Sequence, residues 1–282
     1  MANDLEFGVL EAGSGPLALC LHGFPDTAHT WERLLLELAA AGFHAVAPFM
    51  RGYAPTAVPA DGAYQVGALA ADANALHEVL GGGPDAVLIG HDWGAEAAYG
   101  AAAHAPGRWR RVVTLGVPPA GADFALFSDY DQLRRFFYLF MFRDPLGFAE
   151  GVVAAGNMAF LDRLWQDWSP GFEAGQQLAQ VKQSLADPAC LAAAISYYRA
   201  VGRDDPAGRY AAEQQAVSRV NPQPTLYLHG AHDGCISADL ARSAEPFLAS
   251  GSRLEIIANA GHFLHLERPA EVNPRILSWV TA

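Results

Sequence analysis

The chain has few cysteines, a shortage of basic charge and no long apolar run, and each shortage excludes something. Its three cysteines, Cys20, Cys190 and Cys235, are odd in number and widely spaced. They argue against a disulfide framework or a zinc site and for a reducing compartment. Eighteen Lys and Arg face thirty Asp and Glu, for a net charge of −12. Such a chain is not steered toward phosphate backbones or anionic bilayers, so nucleic acid is not an expected partner. No stretch reaches the about 18 uninterrupted apolar residues of a membrane span. The stretch Met1-Ala2-Asn3-Asp4-Leu5-Glu6 lacks the apolar segment of a signal peptide, so a cytoplasmic protein is expected. Charged residues make up only 17% of the 282 residues against 51% hydrophobic, which disfavours disorder. The length suits one large α/β domain carrying an insertion, or two small domains.

The first part alternates strand-like and helix-like segments. Leu17–Leu21 reads as a buried strand. Thr30 to Ala41 reads as a helix with Leu34, Leu35 and Leu38 on one face and Gly42 as its stop. A short strand, His44 to Ala47, ends at Pro48. An Ala-rich helix from about Val66 to Leu80 is stopped by Gly81-Gly82-Gly83-Pro84, and further strands are expected at Ala86–Ile89 and Val112–Leu115. This alternation implies a parallel sheet covered on both faces. From about 118 to 217 only helical spacing appears, in an unusually aromatic segment. Strand patterns return at Thr225–Leu228 and Leu254–Ile257, with helices from about Ser237 to Leu248 and Pro269 to Val280. The reading is a doubly wound, mostly parallel sheet in two parts, 1–117 and 218–282, interrupted by a helical cap over 118–217. The site is then expected at the carboxyl edge of the sheet, under the insertion.

Gly90-His91-Asp92-Trp93-Gly94 carries the chemistry. A short apolar strand runs into it and strong helix formers, Ala95-Glu96-Ala97-Ala98, follow. A strand turning sharply into a helix through small residues, with a reactive side chain at the apex, is a nucleophile elbow. Serine is the usual occupant; a carboxylate there cannot do serine-esterase chemistry but can attack saturated carbon. An ester formed on Asp92 needs a base to activate water, an acid to orient the base, and oxyanion donors. Chain order places the acid at Asp233, in the turn after Thr225–His229, and the base at His262, after the last strand. An Asp-Gly pair is commonly a plain turn, but Gly116-Val117-Pro118-Pro119 offers no rival acid. His265, three residues beyond His262, reads as structural. The backbone N–H groups of Trp93, at the start of the elbow helix, and of Phe24, in His22-Gly23-Phe24-Pro25, are the expected oxyanion donors.

Together His22-Gly23-Phe24-Pro25, Arg51-Gly52-Tyr53, Gly90-His91-Asp92-Trp93-Gly94-Ala95 and Gly261-His262-Phe263 resemble the soluble epoxide hydrolases of the α/β-hydrolase fold, over essentially the whole chain. That resemblance implies a helical cap with two tyrosines that hold the epoxide oxygen. Phe137-Tyr138-Leu139-Phe140-Met141-Phe142-Arg143-Asp144-Pro145 resembles the first cap motif and points to Tyr138. Ser196-Tyr197-Tyr198-Arg199 resembles the second and points to Tyr198, with Tyr197 facing about 100° away on the same helix. The chain departs from the family around Arg51, where Ala47-Pro48-Phe49-Met50 lacks the usual acid and Ala54-Pro55-Thr56 the usual Gly-x-Ser.

The implied cycle converts an apolar epoxide to a vicinal diol through an Asp92 ester and His262-activated water, with no metal or cofactor. Two alternatives stand beside it. A haloalkane or haloacid dehalogenase would use the same Asp92, His262 and Asp233 set. A non-catalytic receptor built on this fold would not need all three. The sequence leaves the physiological substrate, the selectivity and the choice between monomer and homodimer open.

Overall fold

Continuous apolar runs need a partner on both faces, and the chain supplies it by packing helices on each side of one sheet. The computed structural model describes residues 1–122, 127–203 and 208–282. Seven strands lie in the order β1-β3-β2-β4-β5-β6-β7. These are β1 Val9–Ala12, β2 Leu17–Leu21, β3 His44–Pro48, β4 Val87–His91, β5 Arg111–Leu115, β6 Thr225–Gly230 and β7 Arg253–Ile257. Every pair is parallel except β1 with β3, where Val9 faces Pro48 and Ala12 faces Ala45. β2 and β4 are buried throughout and pair as Leu19 with Leu88 and Cys20 with Ile89. β1 alternates half-buried and exposed residues, as an edge strand with one wet face does.

The core helices are α1 Glu32–Ala40, α2 Val66–Val79 and α3 Trp93–His104. Leu34, Leu35 and Leu38 form the buried stripe of α1. A 3-10 turn over Ala28–Trp31 precedes it, so the expected helix starts two residues later. Between β5 and β6 lie α4 Tyr130–Arg135, α5 Phe137–Phe142, α6 Phe148–Trp168, α7 Gly175–Ser184, α8 Pro188–Ala200 and α9 Ala211–Val217, with no strand among the described residues. A left-handed turn at Gly156, Asn157 and Met158 interrupts α6. The last of the six, α9, packs on α2 and α3, so the chain has returned to the sheet's own helices before β6 begins.

After β6 come α10 Ala238–Arg242, then α11 Leu264–Glu267 and α12 Pro269–Thr281 behind β7. The single helix expected over about 237–248 is split. α10 ends at Arg242 and a 3-10 turn over Glu245–Phe247 follows, with Pro246, which has no amide proton to continue an α-helix, inside that turn. Ser237 caps α10 by accepting from the Asp239 amide. No helix among the described residues is long and apolar enough to cross a membrane. β2 is flanked by β3 on one side and β4 on the other, so successive crossovers leave it in opposite directions. A cleft opens at the strands' carboxyl ends where that happens.

Candidate active site

The elbow is built as its sequence requires. β4 ends at His91 and α3 starts at Trp93, which leaves Asp92 alone to turn the chain, at φ 53° and ψ −120°. A non-glycine residue held there stores strain of about 1–3 kcal/mol, tolerated where the surroundings fix it. Here they do, because a Cβ on Gly94 would sit 2.2 Å from the Leu21 carbonyl oxygen. Only glycine lets α3 press this closely on β2. Gly23 plays the same part in the facing loop, where a Cβ would lie 2.3 Å from the Asp92 Cβ.

That contact places the Phe24 N–H against the Asp92 carboxylate, donating to Oδ1 at 2.7 Å. The other carboxylate oxygen, Oδ2, lies 3.6 Å from His262 Nε2. The Nε2 atom is buried and meets no hydrogen-bond partner among the described residues. At the far side of the ring, His262 Nδ1 lies 2.9 Å from Asp233 Oδ2. Asp233 Oδ1 accepts the amides of Cys235 at 2.7 Å and Ile236 at 2.9 Å. The structure thus brings together Asp92, Phe24, His262 and Asp233, and Trp93 opens the helix beside them.

Charge in this cluster follows from its neighbours. Burial works against ionising His262, but Asp233 and Asp92 outweigh it and lift its pKa from 6.5 to about 10. Burial also opposes charge on Asp233. The His262 and His229 rings and the Ile236 amide prevail and hold its carboxyl below the usual range. The His262 ring between the Asp233 and Asp92 side chains is therefore placed to favour its protonated form.

Tyr138 and Tyr198 meet edge-on, with ring centroids 5.6 Å apart, and burial first, then the Asp92 charge among others, pushes both phenols well above 10. Both remain donors at neutral pH. The Tyr198 hydroxyl reaches hydrogen-bond geometry with no described residue, and neither does the indole N–H of Trp93, whose ring lies 5.1 Å away. The Tyr138 hydroxyl is 3.4 Å from Cys235 Sγ. The Tyr197 ring also lines the cavity, but its hydroxyl points elsewhere, donating to the Arg51 carbonyl at 2.8 Å. Arg51 is itself buried and forked onto both oxygens of Asp72 at 2.6 Å, which gives the Arg-Gly-Tyr loop a structural task. His265 is also structural: it stacks on Trp31 and pairs with Thr30 Oγ1 at 2.5 Å.

Asp92, Trp93, Phe136, Tyr138, Tyr198 and Ile236 help line a cavity of about 240 Å³, with Gln65, Glu96 and Gln214 adding polar groups. A wider polar groove of about 800 Å³ runs past Arg135 and the Asp233 loop, but Asp92 is not in its wall. The position of Asp92, not the size, marks the smaller cavity as the candidate site. Three neighbours carry no motif that singles them out. Asp26 is buried, and desolvation raises its carboxyl to about 7, with the Asp92 charge contributing. His91 Nδ1 lies 4.0 Å from Asp26 Oδ2, while its Nε2–H donates to the His262 carbonyl at 3.0 Å. Cys235 is the third. The only sequence signal for these residues is adjacency: Asp26 follows Pro25, His91 precedes Asp92, and Cys235 lies two residues past Asp233.

A family model described as the alpha/beta hydrolase fold matches residues 16–269. The chain is 29% identical to an epoxide hydrolase of Caballeronia sordidicola over 99% of its own length and 91% of the relative's. It is 30% identical to epoxide hydrolase 3 of Mus musculus, covering 93% of this chain and 69% of that one. The crystal structure of epoxide hydrolase A from Mycobacterium thermoresistibile superposes with a TM-score of 0.85 at 24% identity, over 100% and 97% of the two chains. At that identity the superposition speaks for the fold alone. Taken with the curated relatives and the family match, the chain is an enzyme of the alpha/beta hydrolase fold family and belongs to its epoxide hydrolases.

Proposed function

We propose that this enzyme opens a small apolar epoxide to a vicinal diol through a covalent ester on Asp92. The observation that carries the reading is that Asp92 and two buried phenols, those of Tyr138 and Tyr198, line one mostly apolar cavity. Oδ1 is held by the Phe24 amide, which leaves Oδ2 to attack. Attack on a ring carbon pushes electrons onto the epoxide oxygen, and Tyr198 and Tyr138, in the helical cap, donate to it as charge develops.

The high pKa of His262 then has a use. Ester formation removes the Asp92 charge and with it part of what held the imidazolium. The alkoxide, held by the phenols, takes its proton from solvent, and the imidazolium, no longer facing the Asp92 charge, gives its own proton up to solvent. His262 is left neutral, with Asp233 on Nδ1, and takes a proton from the water that attacks the ester carbonyl. The Phe24 and Trp93 amides hold the resulting oxyanion. Collapse of the tetrahedral intermediate breaks the bond to the diol oxygen, which takes the proton from His262, and the new Asp92 carboxyl returns one to the ring and regains its charge. No metal or cofactor takes part in this cycle. The cavity of about 240 Å³ falls below the about 300–1,000 Å³ of sites for drug-sized ligands, which favours a compact aryl or alkyl epoxide.

The test is turnover in ¹⁸O-water followed by digestion and mass analysis. Label should appear in the Asp92 peptide after two turnovers, because the ester is cleaved at its carbonyl. Unlabelled Asp92 with labelled diol would replace the ester by direct attack of water. Halide release from bromoalkanes without diol from styrene oxide would replace the epoxide by a haloalkane.

A further inference from the structure

The catalytic acid sits on the core, but what holds it comes from the helical insertion. Gln132 of α4 is fully buried, and both ends of its carboxamide are used. Its Nε2 donates to the Cys235 carbonyl at 2.7 Å, and its Oε1 accepts the Ser237 amide at 2.9 Å. One turn along the same helix, Arg135 Nη1 donates to the Asp233 carbonyl at 2.6 Å. Three hydrogen bonds from one six-residue helix therefore grip the backbone of 233–237.

This grip bears directly on the triad geometry. The amides that hold the Asp233 carboxylate belong to Cys235 and Ile236, the residues between the two points Gln132 fastens. Those amides fix Oδ1, which turns Oδ2 toward His262 Nδ1. The same segment also carries Cys235 Sγ against the Tyr138 hydroxyl. Helix α4 caps itself independently, through Asp129 accepting from the Gln132 amide at 2.7 Å. The Gln132 side chain is thus not needed to start its own helix.

We propose that Gln132 and Arg135 are positioning residues for ester hydrolysis: they set Asp233, and through it the orientation and basicity of His262, from the insertion side. The inference rests on the ester mechanism above. It divides that mechanism unequally, because the grip acts on the Asp233 segment and only through it on His262, and among the described residues no hydrogen bond from Gln132 or Arg135 falls on Asp92 or Phe24. Formation of the ester should be spared and its decay slowed. Misplacement of a catalytic group by about 1 Å, caused far from the chemistry, costs about 100-fold, and partial loss of the three-bond grip should cost about 10-fold.

The experiment is rapid acid quench with styrene oxide on the full-length enzyme, measuring formation and decay of the Asp92 ester by mass. It compares wild type with Gln132→Met, which keeps volume but loses both hydrogen bonds, and with Arg135→Met. The expected result is an unchanged formation rate and a decay rate lowered about 10-fold, so that steady-state kcat and KM fall together and kcat/KM holds. Arg135→Lys, which keeps one donor toward the Asp233 carbonyl, should recover part of the loss. The acid limb of ester decay should move to lower pH in Gln132→Met, because a looser Asp233 raises the His262 pKa less. A merely structural role would lower kcat and kcat/KM by one factor at constant KM, and that outcome overturns the proposal, as does an unchanged decay rate. His262→Gln serves as the control: absence of trappable ester there removes the underlying mechanism, whereas trapped ester with normal decay in Gln132→Met removes only the positioning role.

Discussion

The two walls of the site are built on different principles. On the core wall every chemical group is fixed by directional bonds from short loops. Asp92 is held by an amide, Asp233 by two amides and a ring nitrogen, and His262 by a carboxylate. On the insertion wall the groups are fixed by packing. Tyr198 touches the rings of Phe24, Trp93, Tyr138 and Phe142, yet among the described residues its hydroxyl reaches hydrogen-bond geometry with none. Charges buried in a core are costly unless bonded, so the anionic half must be tied down. A phenol kept neutral by burial can be left open toward the cavity at a smaller cost, about 1–3 kcal/mol for an unmade hydrogen bond. The difference teaches which wall carries charge through the cycle and which only donates to it.

The sharpest break of that comparison is on the core wall. Asp92→Ala removes the proposed nucleophile and should abolish diol formation, by about 10⁴-fold or more, since lone triad deletions in hydrolases cost that much. It also removes one of the charges that hold the imidazolium. The His262 pKa should therefore fall from about 10, followed by NMR of the ring carbons. A pKa that stays at about 10 would assign the whole shift to Asp233.

His262→Gln should come next. Turnover should stop after one equivalent, leaving the Asp92 ester visible by mass. Stability gives a second reading of the same residue. The folded-state pKa of about 10 lies above the ordinary 6.5, so the imidazolium's contribution is fully present below about 6.5 and is lost as pH climbs toward about 10. Wild-type Tm should drop across that window more steeply than that of His262→Gln. Parallel curves would mean that the ring is neutral in the resting enzyme.

The insertion wall should respond less. Tyr198→Phe removes a free donor and should cost about 100-fold in kcat/KM, the scale of one oxyanion donor. Tyr138→Phe should cost less, because its hydroxyl already has Cys235 Sγ as a partner and must leave it to reach the epoxide. Equal losses would mean that both phenols are equally free when substrate is bound.

How much of this was legible in the sequence differs between the walls in the same way. The elbow, the first loop and the residue after the last strand could be read directly because backbone geometry dictates their composition. Gly94 fits only because no Cβ fits against the Leu21 carbonyl oxygen. Strands β2 and β4 announce themselves as unbroken apolar runs, whereas β1, four residues with two faces of different exposure, has no such run to show. The tyrosines emerged only through resemblance, since an aromatic insertion offers many equivalent rings. The grip of α4 on 233–237 was invisible: it joins a glutamine to backbone atoms 103 and 105 residues away, and backbone atoms have no sequence identity. Asp26 was hidden for another reason, its meaning depending on a burial that only the fold confers.

The smallest effect is the cleanest control on the comparison. Tyr197 and Tyr198 are neighbours on α8, both buried, yet Tyr197 spends its hydroxyl on the Arg51 carbonyl at 2.8 Å. Tyr197→Phe should leave that carbonyl without this donor and lower stability by about 1 kcal/mol, the net worth of one hydrogen bond, read as a shift in urea midpoint at constant slope. Its ring still packs on Trp93 and Tyr64, so the cavity wall should keep its shape and kcat/KM its value. One residue along the helix, the same substitution at Tyr198 should do the reverse, leaving the urea midpoint in place and lowering kcat/KM. Two chemically identical changes, one turn-third apart, would then separate a hydroxyl that the fold uses from one that it leaves for the substrate; a catalytic loss at Tyr197 as large as that at Tyr198 would erase the distinction between packed and free phenols on this wall.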